Sequence, residues 1–359
     1  MKKNICIIAG ARPNFVKVAP LIRAIQKCDV AAFQLIYAGC EDDPTLEPSL
    51  FEDLQMPAPD FYFGVDSTRL NEITSRVMAE FDRFLDVHPV DVVIVVDDLA
   101  STMAAAIVAK KRGIRLAHLV AGTRSFDINM PKEINRLVID ALSDYLFTAG
   151  VKSNSVATRE QSESSHTYMV GNILMDTLRF NHARLRQPAG LGELTAEPYL
   201  VLTLNRRALL ADKAYLAQVA ETLVEADVNV IAPLREEARK AMEDVLQPLS
   251  SDSIHLVGSL PYLEFGWLTA HALAIVTDSG NVAEEATFNG VPCMTLNDYT
   301  EHQETVTVGS NVLIGGDIEK LRTSLCSLKE GRWKQCALPD RWDGRTAERI
   351  LQVLLGPNS

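Results

Sequence analysis

Asn4 to Pro20 reads NICIIAGARPNFVKVAP. An apolar run, Ile5 to Ala9, stops at Gly10, and apolar residues then recur at helical spacing from about Val16. A short apolar run closed by a Gly turn and followed by an amphipathic stretch is the repeating unit of parallel α/β sheets. The same alternation continues along the chain. Phe33 to Ala38, Val92 to Val96, Arg115 to Leu119 and Tyr145 to Thr148 read as buried strands. The stretches beginning near Arg69, Ser101 and Ile134 read as helices covering both faces of a sheet. Gln187 to Pro198, QPAGLGELTAEP, breaks the pattern with Pro, Gly and polar residues and reads as a linker. Strands then resume at Tyr199 to Leu204, Val228 to Ala232, Ser253 to Leu256, Leu273 to Thr277 and Pro292 to Leu296. The fold expected is α/β, with two Rossmann-like, doubly wound domains at 1–186 and 199–341. Ligands of such domains bind beyond the carboxyl ends of the strands.

The chain is 359 residues long, more than one hydrophobic core usually supports, which agrees with two domains. Hydrophobic residues at 47% and charged residues at 23% are ordinary for a globular protein and exclude general disorder. A net charge of −12 speaks against broad binding to nucleic acid or to anionic membranes, while leaving room for a local basic pocket for phosphate. Six cysteines lie far apart with no CxxC spacing, so neither a zinc site nor a redox pair is expected. The amino-terminal apolar run is too short for a secretion signal, and no segment approaches the length of a membrane span. A reduced, cytoplasmic protein is the expectation.

Two turns carry candidate chemistry. In GARPNFVKVAP, Gly10 permits a tight turn, and Arg12 and Lys17 stand where an anion near a helix amino terminus would be met. A lone Gly-Arg turn equally reads as an ordinary loop. In VTDSGNVAEEATFNGVPC, Val276 to Cys293, the amides after Asp278, the Ser279 hydroxyl and the helix dipole suit a diphosphate. Glu284 or Glu285 one turn on suits ribose hydroxyls. The plainer reading is a helix cap with solvated glutamates.

Taken with MPKEINRLVIDALSDYLFT, VGNILMDTL, LPYLEFGWL, TEHQETVTVGSNVLIG and GRWKQCALPDRWDGRTAERI, these turns resemble the non-hydrolysing UDP-N-acetylglucosamine 2-epimerases along essentially the whole chain. The resemblance implies a GT-B fold, two Rossmann-like domains facing a central cleft, with a terminal helix, 342–359, crossing back to the first domain. It implies that Phe265 packs near uracil, Ser279 and Gly280 bind the diphosphate, and Glu285 binds the ribose. Arg12 and Lys17 would complete the phosphate environment. A lone aromatic such as Phe265 also reads as core packing. Family members commonly dimerise through the amino-terminal domain, and no metal or cofactor is implied.

Family chemistry moves a proton at sugar C2 and needs a positioned base and acid. The family stretches usually reading GD, HVEAGLRS, MPEEINR and THR are here DDLAST, HLVAGTRS, MPKEINR and TLNRR. Asp98 is kept. Val120 and Lys132 stand in place of glutamates and Asn205 in place of histidine. Asn281, Ala283 and His302 also depart from the pattern, and PVHPR is replaced by PLREE with Arg235 and Glu237. Valine accepts no proton, and asparagine has no acid/base equilibrium near neutrality. Glu133 adjoins the lost carboxylate but faces about 100° away on a helix. Asp97 beside Asp98 is a candidate substitute acid/base partner, although two adjacent aspartates also read as a solvated pair. Lys132 would act only if burial depressed its pKa, and His118 and His302 read as structural.

The function expected is that of a UDP-N-acetylhexosamine-binding family member serving cell-surface polysaccharide synthesis, with conventional epimerisation not expected. Two alternatives remain on the sequence. One is a glycosyltransferase using a UDP-sugar, since the fold does not separate transfer from epimerisation. The other is a non-catalytic subunit or regulator paired with an active paralogue. A homodimer is the expected assembly.

Overall fold

The computed structural model describes residues 2–29, 31–249 and 251–356. The chain divides into two compact units, Met1–Asn181 with Asp340–Ser359, and His182–Pro339. In the first unit, strands β1 (Lys3–Ala9), β2 (Ala31–Tyr37), β3 (Phe61–Tyr62), β4 (Val92–Val96), β5 (Arg115–Leu119), β6 (Tyr145–Thr148) and β7 (His166–Met169) form one sheet. Its order is β3-β2-β1-β4-β5-β6-β7, parallel throughout. β4, VVIVV, is buried at every position because helices cover both faces, so its run is continuous rather than alternating. The strand order reverses between β1 and β4, which opens a crevice at their carboxyl ends.

The second unit repeats the plan with β8 (Tyr199–Thr203), β9 (Asn229–Pro233), β10 (Ile254–Val257), β11 (Ala274–Thr277), β12 (Cys293–Thr295) and β13 (Asn311–Leu313). Its sheet runs β10-β9-β8-β11-β12-β13, again parallel. The reversal falls between β8 and β11.

Three strands not expected from the sequence, β3, β7 and β13, are all sheet edges. An edge strand has one paired side and lacks the two-sided apolar run that marks a central strand. The stretch 187–198, read as a linker, belongs to the second unit. Its Leu191 is buried in that unit's core beside Tyr199, Ile231 and Ile275.

The terminal helix Thr346–Leu355 belongs to the first unit and packs on the helices Arg12–Cys28 and Ile173–Asn181, burying Ile350, Leu351 and Leu354. Asp176 receives the backbone N–H groups of Thr346 at 3.0 Å and Ala347 at 2.8 Å. Trp342 donates from Nε1 to the Ala149 carbonyl at 3.1 Å. The part of the expected 342–359 segment beyond Gly356 lies outside the described residues.

Candidate functional site

In the first unit, β1, β4 and β5 are adjacent, so the residues leaving their carboxyl ends converge: Gly10 to Lys17, Asp97 with Asp98, and Val120 to Arg124. Gly10 has no left-handed backbone. A Cβ at this position would meet Ser101 Oγ at 2.0 Å and Leu99 Cδ1 at 3.0 Å, so close approach to the helix Ala100–Lys111 demands glycine. The Asn14 amide oxygen accepts from the Gly10 and Ala11 N–H groups at 2.8 and 3.2 Å. Its Nδ2 then donates to Asp97 Oδ2 at 2.9 Å. Asp97 and Val120 both have positive φ, 59° and 68°, conformations that cost a non-glycine residue about 1 kcal/mol or more, most for a β-branched one.

Each carboxylate of this cluster is held by a cation. Asp97 Oδ1 lies 2.6 Å from Lys17 Nζ. Asp98 Oδ2 lies 2.8 Å from Arg136 Nε and 2.6 Å from its Nη2, while Lys132 Nζ stands 3.5 Å from Oδ1. Glu133 accepts from Ser125 N and Oγ, from Phe126 N and from Arg136 Nη1. Asp140 pairs with His118 Nδ1 at 2.6 Å and Arg124 Nη1 at 2.7 Å. His118 Nε2 faces the Asp97 carbonyl at 2.9 Å, so both ring nitrogens meet oxygen acceptors.

Burial pushes the Asp98 carboxyl up, yet Lys132 and Arg136 outweigh it and leave it below the usual carboxylate range. Burial likewise raises Glu133, and the Ser125 donors, Arg136 and the Phe126 amide reverse the shift. For Asp140 the opposing groups are His118 and Arg124.

In the second unit, Asp278 leaves β11 and its Oδ2 accepts the N–H groups of Asn205 at 2.8 Å and Arg206 at 2.7 Å. This fixes the loop leaving β8 against the start of the helix Gly280–Asn289. Ser279 is that helix's N-cap, and its amide donates to Thr277 Oγ1 at 3.0 Å. Glu284 and Glu285 on the first turns are buried. His302 Nδ1 lies 2.8 Å from Glu284 Oε1.

The expected site residues thus fall into two groups. Asp97, Asp98, Val120, Lys132, Arg12 and Lys17 belong to the first unit, and Asn205, Phe265, Ser279, Gly280 and Glu285 to the second. Arg12 binds Glu47 through Nε at 2.7 Å and through Nη2, so both cations assigned to phosphate are paired with carboxylates of their own unit. Asp97 and Asp98 face different nearest cations, Lys17 and Arg136. Lys132 is exposed, its side chain 58% accessible. Asn205 is exposed. Phe265 is half-buried and packs on the second unit's core. Sequence reading missed the buried His118–Asp140–Arg124 network and the binding of Glu133 to the Ser125 turn. The Glu133–Arg136 spacing, one helical turn, is the only local signal of either.

The sequence model of the family described as UDP-N-acetylglucosamine 2-epimerase matches residues 23–355. This chain belongs to that family. The UDP-N-acetylglucosamine 2-epimerase of Methanocaldococcus jannaschii is 32% identical to it over 98% of both chains. The UDP-2,3-diacetamido-2,3-dideoxy-D-glucuronate 2-epimerase of Pseudomonas aeruginosa is 33% identical over 90% of this chain and 92% of its own. The crystal structure of the M. jannaschii enzyme in complex with UDP-GlcNAc and UDP matches with a TM-score of 0.84 at 31% identity. That match covers 98% of this chain and 99% of the other. The fold is GT-B, two parallel-sheet α/β domains. No helix among the described residues is long and apolar enough to cross a membrane.

Proposed function

We propose that this epimerase-family protein binds a UDP-N-acetylhexosamine and does not carry out conventional C2 epimerisation. Family membership over nearly the whole chain, with a relative solved in complex with UDP-GlcNAc and UDP, supports the ligand class. The names of the two relatives differ in the sugar, and both sugars carry an acetamido group, which supports the class rather than one compound. On this reading Ser279, Gly280 and the buried Glu285 meet the diphosphate and ribose, and Phe265 the base.

The observation that carries the loss of epimerisation is the pairing of every cluster carboxylate with a cation. A group that returns a proton near neutrality needs a raised carboxyl pKa, whereas Asp98 and Glu133 are both held low. Val120 and Lys132 supply no replacement. The same reading places the protein in the cytoplasm, in cell-surface polysaccharide synthesis, as a homodimer or paired with an active paralogue. Calorimetric titration with UDP and UDP-N-acetylglucosamine, followed by NMR of the mixture in deuterated water, tests both halves. Binding without deuterium at C2 is expected. No heat and no thermal shift at millimolar ligand removes the binding half, and C2 exchange at enzymatic rates removes the other.

A further inference from the structure

The cations around Asp98 are not equally committed. Arg136 spends Nε and Nη2 on Asp98 Oδ2 at 2.8 and 2.6 Å, and Nη1 on Glu133 Oε2 at 3.1 Å. Lys17 Nζ is held by Asp97 Oδ1 at 2.6 Å. Lys132 Nζ stands 3.5 Å from Asp98 Oδ1, beyond the range of about 2.7–2.9 Å typical of a charge-assisted hydrogen bond. Its side chain is 58% accessible, against 6% for Arg136. A lysine Nζ offers three donors, and Asp98 engages this one only loosely. Lys132 therefore keeps donors for a group arriving from solvent.

Helix stability does not account for a cation here. Lys132 lies in the first turn of the helix Pro131–Leu142, the positive end of its dipole, where a carboxylate such as Glu133 is favoured and a lysine is not. Charge gives a second argument. Against the family pattern, valine at position 120 removes one negative charge and lysine at position 132 reverses another, so this cluster is three charges more positive. Abolishing acid/base chemistry needs no cation, since an uncharged side chain does so equally well. A reversed charge instead changes which ligand is tolerated. Lys17, Lys132 and Arg136 now balance Asp97, Asp98 and Glu133, so an incoming monoanion no longer meets an excess of carboxylates.

We propose that Lys132 is a specificity-determining residue that binds a carboxylate on the ligand's sugar, so that the preferred ligand is an acidic nucleotide sugar, a UDP-N-acetylhexosaminuronate. This deepens the nucleotide-sugar reading given above and rests on it, with the hexosamine meeting the first unit's cluster. Lys132 Nζ donates to the ligand carboxylate, while Arg136 keeps Asp98. The contact is non-covalent, and no bond forms or breaks.

Calorimetry with the full chain compares UDP, UDP-N-acetylglucosamine and UDP-N-acetylglucosaminuronic acid at neutral pH. The protein's net charge of −12 disfavours the extra negative charge of the uronate, so a preference for it must come from a local cation. At low salt the uronate is expected to bind about fivefold more tightly than the neutral sugar, the upper end for an ion pair that solvent screens. The advantage should shrink as salt is added. Lys132→Arg is expected to keep the advantage, Lys132→Met to abolish it and Lys132→Glu to reverse it. The exposed position makes all three compatible with folding, which thermal melting checks. Equal or weaker binding of the uronate by the unaltered protein, or an advantage that survives in Lys132→Met, overturns the proposal, while binding of UDP leaves the nucleotide reading intact. Failure of UDP and both sugars to bind overturns both.

Discussion

Replacing Asp98 by Ala leaves the Arg136 guanidinium without its main counterion, and the structure sets the size of the loss. The side chains are 13% and 6% exposed, and both donor contacts are under 3 Å. This is a buried pair. An exposed pair contributes about 0–1 kcal/mol, whereas removing one member of a buried pair costs about 3–5 kcal/mol. Arg136 keeps Glu133 Oε2 at 3.1 Å, so the low end applies and about 3 kcal/mol is expected. For a unit of this size the melting temperature should fall by roughly 6 to 12 °C.

The two units need not unfold together, so the first unit needs its own reporter. Trp342 lies in the first unit and Trp267 and Trp333 in the second. Urea unfolding followed by Trp342 fluorescence in a Trp267→Phe, Trp333→Phe background isolates the relevant transition. Lys132→Met, which removes a mostly exposed ammonium 3.5 Å from Asp98, should cost under about 0.5 kcal/mol. The Asp98→Ala, Arg136→Met cycle should show coupling of about 2 kcal/mol. The sign with pH follows from the lowered folded pKa of Asp98. Its contribution is complete above the unfolded value of about 3.9 and is lost as pH falls through the folded value. The wild type and Asp98→Ala should therefore converge in acid. A loss below about 1 kcal/mol at pH 7, or additivity within about 0.3 kcal/mol in the cycle, would refute the buried-pair account.

Asp176→Ala, which deprives the Thr346 and Ala347 amides of their acceptor, should cost about 1–2 kcal/mol in the same assay. Burial raises the Asp176 carboxyl against the pull of those amides, so wild-type stability relative to Asp176→Asn should grow as pH falls through the raised value; the opposite slope would reject burial as the dominant influence and show that the amides outweigh it. Gly10→Ala should cost about 1–3 kcal/mol by overpacking against Ser101 Oγ, and Gly10→Ala with Ser101→Ala should recover part of it; no recovery places the clash elsewhere. Val120→Glu with Lys132→Glu and Asn205→His should yield slow deuterium entry at C2 of UDP-N-acetylglucosamine where the wild type gives none, and exchange by the wild type would reject the reading of these three positions.

How far the sequence could be read depends on the range of the interaction concerned. The buried central strands announce themselves because each is an apolar run closed by a turn, and that signal is local: β4 and β5 match their expected limits. The edges β3, β7 and β13 carry no such run. The turn at Gly10 was legible as a turn, but its cause, the Ser101 hydroxyl 2.0 Å from a would-be Cβ, joins residues far apart in the chain. The site shows the same limit. Adjacent in sequence, Asp97 and Asp98 suggest two carboxylates sharing a space, one with a raised pKa because like charges resist joint ionisation. The left-handed backbone at Asp97 turns the two side chains to different partners, Lys17 from the β1 turn and Arg136 from a later helix. Each has a cation within contact distance, and Asp98 is held below the usual carboxylate range by Lys132 and Arg136 against the effect of burial. Adjacency in the chain therefore does not reveal which cation each carboxylate faces, because those cations come from distant segments.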